Sequence, residues 1–306
     1  MKGKNIYLPS FYLIISIFSI FLINHLRSNS VYFMPKEYKT IKKIVDKLAS
    51  KNDLGKRNIP FSIGSGRYMA WRAEELGLCK EDACWYYRNL NPYKKHKTFN
   101  GINLNELLNQ SYLFSGIEAY AWNDIAWLSK STFLAYGNRK DYLACVIAHE
   151  ISHIIFNDYI NRSTKLSNKI EEIEFQNKDK VVKNIKQEKD KNEELIEILK
   201  MELNRDSEVN ADINSAKIVI NAGFNRNTCS EGIKFLAEKN ELDAHTDKKS
   251  THPGHIERHK LLDEFIKTYD NLSIEKNFKP YKWKWTYNRK LNTLTFNPLK
   301  IDESKL

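Results

Sequence analysis

The chain has 306 residues, 42% of them hydrophobic and 12% aromatic, with a formal charge of +11. That composition excludes a disordered chain and gives enough length for one or two packed domains. The positive charge would suit an anionic partner, but the lysines are spread among Asn, Ile and Tyr without a nucleic-acid motif, so no nucleic-acid function is expected.

In chain order, residues 1–30 come first. Lys2 and Lys4 precede a run from Ile6 to Ile23 that carries no charge, near the length of about 17–25 residues that crosses a bilayer. It reads as a signal peptide or an uncleaved anchor, and Ser28-Asn29-Ser30 is a poor cleavage site. The two lysines favour a cytoplasmic N-terminus. The body is then expected outside the cytoplasm, on the periplasmic or cell-surface side, either anchored to the membrane through this segment or secreted.

In such a compartment cysteines pair. Cys79 and Cys84 are spaced for a short disulfide. Cys145 is expected to be a small buried packing residue, and Cys229 has no obvious partner.

Residues 31–110 read as a helical and mixed segment packing on the core. Ile41, Ile44, Val45 and Leu48 have helical spacing, with a stop expected at Gly55. "IPFSIG" reads as a short strand leading through a turn to a helix. Ile125 to Leu128 has strand character, and Asn138 three residues before Asp141 resembles a capping box.

The core is assigned to 111–164 and 203–270. Between them, 165–202 is dense in Lys and Glu and reads as an exposed helical insertion with a thin stripe of Ile170, Ile173, Val182 and Ile185. A second apolar helix should close at Gly223, and a third should begin near Pro253. The tail, 271–306, alternates and turns at Asn288-Arg289 as a β-hairpin, with Trp283 and Trp285 expected to cover a core. The fold class is α+β, mainly helical, with a small edge-strand sheet and one site-bearing helix.

That helix carries "HEISH", His149 to His153, flanked by Val146, Ile147, Ala148, Ile154 and Ile155. Histidines at i and i+4 leave one helix face a turn apart and reach a single ion. A glutamate beside the first, Glu150, is placed to take a proton from water activated at that ion. Burying these three groups without a task would be costly. The third ligand is assigned to Glu208, with Glu202 and Asp206 as rivals. Asp212, four residues on, is placed to orient His149 by accepting its other ring N–H.

Together, His149-Glu150-x-x-His153, the Glu208-x-x-Ala211-Asp212 run and the His252-Pro253…Arg258 segment resemble the HtpX and CAAX prenyl protease family of gluzincin zinc metallopeptidases. "AYAWNDIAWL" resembles the family's edge-strand region more loosely. The resemblance implies a zincin-like core with one zinc per chain, held by His149, His153 and Glu208, and endopeptidase activity with Glu150 as general base. His252 or Arg258 would steady the oxyanion or orient Glu208; both roles stay open. It also implies a substrate polypeptide held extended against the edge strand, and a part in exported or membrane-associated protein quality control. Family members that process prenylated substrates have several membrane helices, and this chain has one hydrophobic run, so that substrate is not expected. A catalytically silent chaperone or scaffold, and a zinc hydrolase acting on another bond, are the rival readings. The cluster His245, His252, His255 and His259 is a rival metal site, without a partnered carboxylate at ligand spacing.

Overall fold

Apolar spacing at a period of 3.6 puts Tyr38, Ile41, Val45 and Leu48 on one side of helix α1 (Lys36–Ala49), and all four are fully buried. The computed structural model describes residues 31–80, 83–177, 185–270 and 281–299. α1 stops at Ala49 rather than at Gly55; the Ser50 N–H closes the last turn on Asp46 O, and Gly55, at φ 87°, turns the loop beyond. Strand β1 (Ile59–Gly64) follows, with Ile59, Phe61 and Ile63 wholly buried.

β1 lies in the middle of a five-stranded sheet. The other strands are β2 (Ala119–Trp122), β3 (Ile125–Ser129), β4 (Trp283–Asn288) and β5 (Thr293–Pro298), in the order β2-β3-β1-β5-β4. β1 and β3 run parallel, with Phe61 opposite Ala126, and the other pairs are antiparallel. The parallel pairing requires a crossover, made here by α2 (Arg67–Glu75), α3 (Trp85–Arg88) and α4 (Leu104–Phe114). The β4–β5 hairpin joins the same sheet through β5, with Leu294 opposite Phe61, and Trp283 and Trp285 pack on the main core. Gly64 is obligatory: a Cβ there would stand 2.4 Å from the Trp127 ring.

After β3 come α5 (Lys130–Tyr136), α6 (Lys140–Ile155), α7 (Asp158–Asn177), α8 (Ile185–Asn221), α9 (Thr228–Asn240) and α10 (His255–Thr268). α6 starts without the expected capping box, because Asn138 lies in a tight turn where its carbonyl accepts the Lys140 N–H at 2.9 Å. α6 is the central helix, with Leu143, Ala144, Ile147, Ala148, Ile151 and Ile154 in the core. Ala144 and Ala148 on α6 and Ala211 and Ala216 on α8 are fully buried, and residues that small let two helices approach closely.

Residues 165–177 are the later part of α7 and 185–202 the first part of α8, which runs unbroken to Asn221 and carries Glu208. Gly223, at φ 74°, follows its end, and Gly254 caps α10 just after Pro253. Val182 of the expected stripe lies outside the described residues, as do 271–280 and 300–306 of the tail.

All four cysteines are paired. Cys79 bonds Cys84, the short pairing that the spacing allows, and Cys145 bonds Cys229. The latter corrects two expectations: Cys145 is not merely a packing residue, and Cys229 has a partner. The cause is the packing of α9 on α6, which brings the two cysteine Cα atoms within 5.3 Å.

No helix among the described residues is long and apolar enough to cross a membrane. The signal-or-anchor reading falls on residues 1–30, outside the described residues.

Candidate metal centre and active-site cleft

Helical spacing on α6 sets His149 and His153 a turn apart, and α8 crosses beside them with Glu208 and Asp212 spaced the same way. The His149 Nε2 and His153 Nε2 atoms lie 3.1 Å apart. Glu208 Oε2 is 3.2 Å from His149 Nε2, and its Oε1 is 3.4 Å from His153 Nε2. Ligand atoms on a tetrahedral zinc, each about 2.0–2.1 Å from the ion, stand roughly 3.3 Å from one another. Two imidazoles and a carboxylate also form a donor set that suits zinc. These residues therefore fit the ion by spacing and by chemistry. Among the described residues they form the one such cluster.

The opposite ring nitrogens explain why both Nε2 atoms converge. His149 Nδ1 is 2.9 Å from Asp212 Oδ1, and His153 Nδ1 is 2.7 Å from Asp158 Oδ2. Each carboxylate accepts an Nδ1–H and leaves Nε2 for the cluster. Asp212 stands where the sequence placed it. Asp158 was missed: it lies at the start of α7, just after the turn where Asn157 takes φ 53°, so helical spacing from His153 gives no sign of it.

Arg258, buried on α10, clamps Asp212 through Nε at 2.7 Å and Nη2 at 2.6 Å. The structure thus brings Arg258 to the carboxylate behind His149, and its two hydrogen bonds go to Asp212 rather than to Glu208. His252 sits at the cleft mouth, exposed, with Nε2 3.5 Å from Glu208 Oε2. The other histidines of the rival cluster do not assemble: His245 faces Glu257, His255 bonds the Asp243 carbonyl and His259 faces Asp263.

The cluster's charges follow from this geometry. Burial works against the His149 imidazolium, but hydrogen bonds to Asp212 and Glu208 outweigh it and lift the pKa to about 10. Burial likewise opposes a charged His153, and Asp158 and Glu208 lift it to about 9. Burial would raise the Glu208 carboxyl, yet both imidazoles hold it well below the ordinary range. Burial pushes the Glu150 carboxyl up, against the opposing pull of the two histidines.

His149, Glu150, Glu208 and Asp212 line a cleft of about 370 Å³. One wall is the start of β2, at Glu118 and Ala119; another is formed by Cys145 and Val146 of α6 and by Ile233 and Leu236 of α9. Glu118 was also missed. It is buried, accepts the Arg67 N–H at 2.8 Å and the Arg88 Nε–H at 3.0 Å, and fixes the beginning of the edge strand to α2 and α3. Burial raises its pKa while Arg67 and Arg88 pull the other way. Nothing local in the sequence ties Glu118 to arginines so far upstream.

A central helix bearing His-Glu-x-x-His, a carboxylate from a second helix and a small sheet ending in an edge strand define a zincin-like metallopeptidase core. Residues 102–266, just over half of the chain, match the family model "Peptidase family M48", and the chain belongs to that family of metallopeptidases. No curated protein and no solved structure matches it.

Proposed function

We propose that the protein is a zinc-dependent endopeptidase, with one zinc per chain held by His149, His153 and Glu208. The observation that carries this reading is the convergence of two Nε2 atoms and a carboxylate at tetrahedral-ligand spacing beside Glu150 in one cleft. Bound there, zinc would supply Lewis acidity toward the scissile carbonyl and the attacking water.

The chain's own groups do the rest. Glu150 takes the proton of the attacking water and passes it to the leaving amine, a role suited to a carboxyl whose pKa burial has raised. Asp212 and Asp158 hold the imidazoles in the tautomer that directs Nε2 inward. Arg258 keeps Asp212 charged and in place, and His252, at the mouth, is positioned to meet the developing oxyanion.

β2 supports a mode of substrate binding. It pairs with β3 on one side and is the sheet's edge on the other, so an extended polypeptide adds to it by β-augmentation, its scissile bond carried over the α6 histidines. Side chains along an added strand alternate. Ala119 and Ala121 face the core below, while Tyr120 stacks on Trp127 at 4.7 Å on the outer face. Backbone recognition of this kind implies broad side-chain tolerance. Together with an exported, membrane-associated setting, it fits the removal of misfolded or membrane-proximal proteins.

The test is casein cleavage by the purified full chain after metal removal with a chelator and after return of zinc. Loss on chelation and recovery with one zinc per chain support the reading. A metal-stripped protein that cleaves at the original rate overturns it, and the silent-scaffold reading would require that zinc restores nothing.

A further inference from the structure

β2 places its side chains alternately on the two faces of the sheet. Ala119 and Ala121 pack on the main core, while Tyr120 and Trp122 stand on the other face, opposite Trp127 and Ile125 of β3. Trp85 of α3 joins them, its ring centroid 5.6 Å from that of Tyr120 and 6.3 Å from that of Trp122. The outermost side chains of this row stand open to solvent: Trp85 is 42%, Trp122 49% and Ile125 43% exposed. Large apolar side chains grouped in this way on a surface mark a place of contact.

The row is rigidly held. Cys84, bonded to Cys79, immediately precedes Trp85, and the Ser65 hydroxyl and the Gly66 N–H donate to the carbonyls at the end of α3. The Arg88 guanidinium pairs with Glu118 at 3.0 Å and lies 4.7, 5.1 and 5.2 Å from the ring centroids of Trp85, Tyr120 and Trp127. The Tyr120 hydroxyl donates to Asn89 Oδ1 at 3.0 Å. A face ordered beforehand loses little side-chain entropy when it is covered.

The strand beneath the row says what covers it. β2 pairs with β3 on one side only, and the outward N–H and C=O groups of an edge strand are met by another strand. The side chain directly opposite in such a strand comes within about 4.5–5.5 Å, Cβ to Cβ. Alternate residues of an extended polypeptide on β2 therefore fall against Tyr120 and Trp122, next to Trp85. The intervening residues turn to the face of Ala119 and Ala121, where β2 packs on α6. Arg88 and Ala119 also line the cleft, so one polypeptide reaches both the row and the cleft.

We propose that the row is a specificity shelf, selecting polypeptide in which aromatic or large aliphatic side chains recur at every second residue. The inference rests on the reading of β2 as the strand that receives an extended substrate. Pairing through the backbone accepts any sequence, and the shelf adds a preference at alternate positions. Alternation of apolar and polar residues is the pattern of a half-buried strand, so the selected stretches are strands laid bare when their protein unfolds.

The experiment uses the zinc-loaded full chain carrying Glu150→Gln, so that bound peptides stay uncut, and three fluorescein-labelled peptides with the same flanks. One alternates Phe and Ser, the second has the same composition in two blocks, and the third is the alternating peptide methylated on its backbone nitrogens. Fluorescence anisotropy should show the alternating peptide bound roughly tenfold more tightly than the blocked one, with the methylated peptide losing at least that factor. Adding Trp85→Ala and Trp122→Thr should remove the difference between alternating and blocked peptides, and Trp85→Tyr with Trp122→Tyr should keep most of it. The peptide comparisons are made with both tryptophans intact, so they decide the question even where the double variant fails to fold.

Equal affinity for the alternating and blocked peptides overturns the proposal, as does undiminished binding of the methylated peptide or a folded Ala/Thr double variant that keeps the preference. Equally tight binding of a chitin oligosaccharide, lost in that variant, assigns the row to sugar stacking and also overturns it. Casein cleavage by the parent chain judges the peptidase reading separately. Cleavage without a preference for alternation overturns the shelf alone, and the preference without cleavage overturns the peptidase reading alone.

Discussion

Arg258 holds Asp212 by two hydrogen bonds of 2.6 and 2.7 Å, and the same carboxylate lies 2.9 Å from His149 Nδ1. A buried cation on α10 thereby fixes, through one carboxylate, the ring that offers Nε2 to the metal cluster. Replacing Arg258 by Met leaves Asp212 buried and unpaired. Breaking a buried pair in this way costs about 3–5 kcal/mol, and loss of an outer carboxylate contact lowers metal affinity by roughly 10–100-fold. Urea unfolding and zinc competition titrations should show both losses. A variant with undiminished zinc affinity and lowered kcat would show instead that Arg258 works on the substrate.

Asp212 also sets an acid limb. Burial would raise its carboxyl, but the Arg258 charge and hydrogen bonds outweigh it and hold the pKa at about 2, against an ordinary 3.8. A depressed folded-state pKa adds stability that is fully present above the unfolded value and disappears as pH falls from 3.8 toward 2. The contribution is about 2 kcal/mol. In zinc-free protein, Asp212→Asn should lose much of the stability difference between pH 5 and pH 2 that the parent shows in denaturant titrations.

Asp158 stands to His153 as Asp212 stands to His149, with Oδ2 2.7 Å from Nδ1. Asp158→Ala should weaken zinc binding by about 10–100-fold. Asp263→Ala, which touches His259 and Ser230 outside the cluster, should leave zinc binding unchanged. Competition with a chromogenic chelator measures both.

The Cys145–Cys229 disulfide ties α6 to α9 across 84 residues of sequence. A bond closing so long a loop stabilises by about 4.6 kcal/mol in the chain-entropy account. The double variant Cys145→Ala, Cys229→Ala should unfold at lower urea by about that amount while still binding one zinc. Because both cysteines line the cleft, cleavage-site profiling of this variant should also show a wider choice of side chains next to the cut.

What was legible in the sequence was what regular helices impose. His149, Glu150 and His153 lie on one turn, and Glu208 and Asp212 repeat the i, i+4 spacing, so two helices could be matched to one ion without knowing how they pack. The strands at Ile59 and Ile125 and the hairpin at Asn288 were likewise written in local alternation and turn residues. What stayed hidden is tertiary. Asp158 meets His153 only because Asn157 reverses the chain into a new helix. Cys145 finds Cys229 only through the packing of α9 on α6, and the hairpin completes the sheet only through the pairing of β5 with β1, Ile59 opposite Phe296 to Ser62 opposite Thr293. No periodicity encodes those meetings. The helix start at Asn138 was misjudged for the opposite reason, since a favourable local signal gave way to the turn that brings α5 into α6.

The central claim is that Glu150 moves the proton for a hydrolysis carried out over His149, His153 and Glu208. The most direct test compares the parent with Glu150→Gln in the purified full chain, measuring bound zinc and casein cleavage together. Both proteins should hold one zinc per chain, and the variant should lose cleavage by a factor of about 10²–10⁴. A Glu150→Gln protein that keeps its zinc and cleaves casein as fast as the parent would contradict the account.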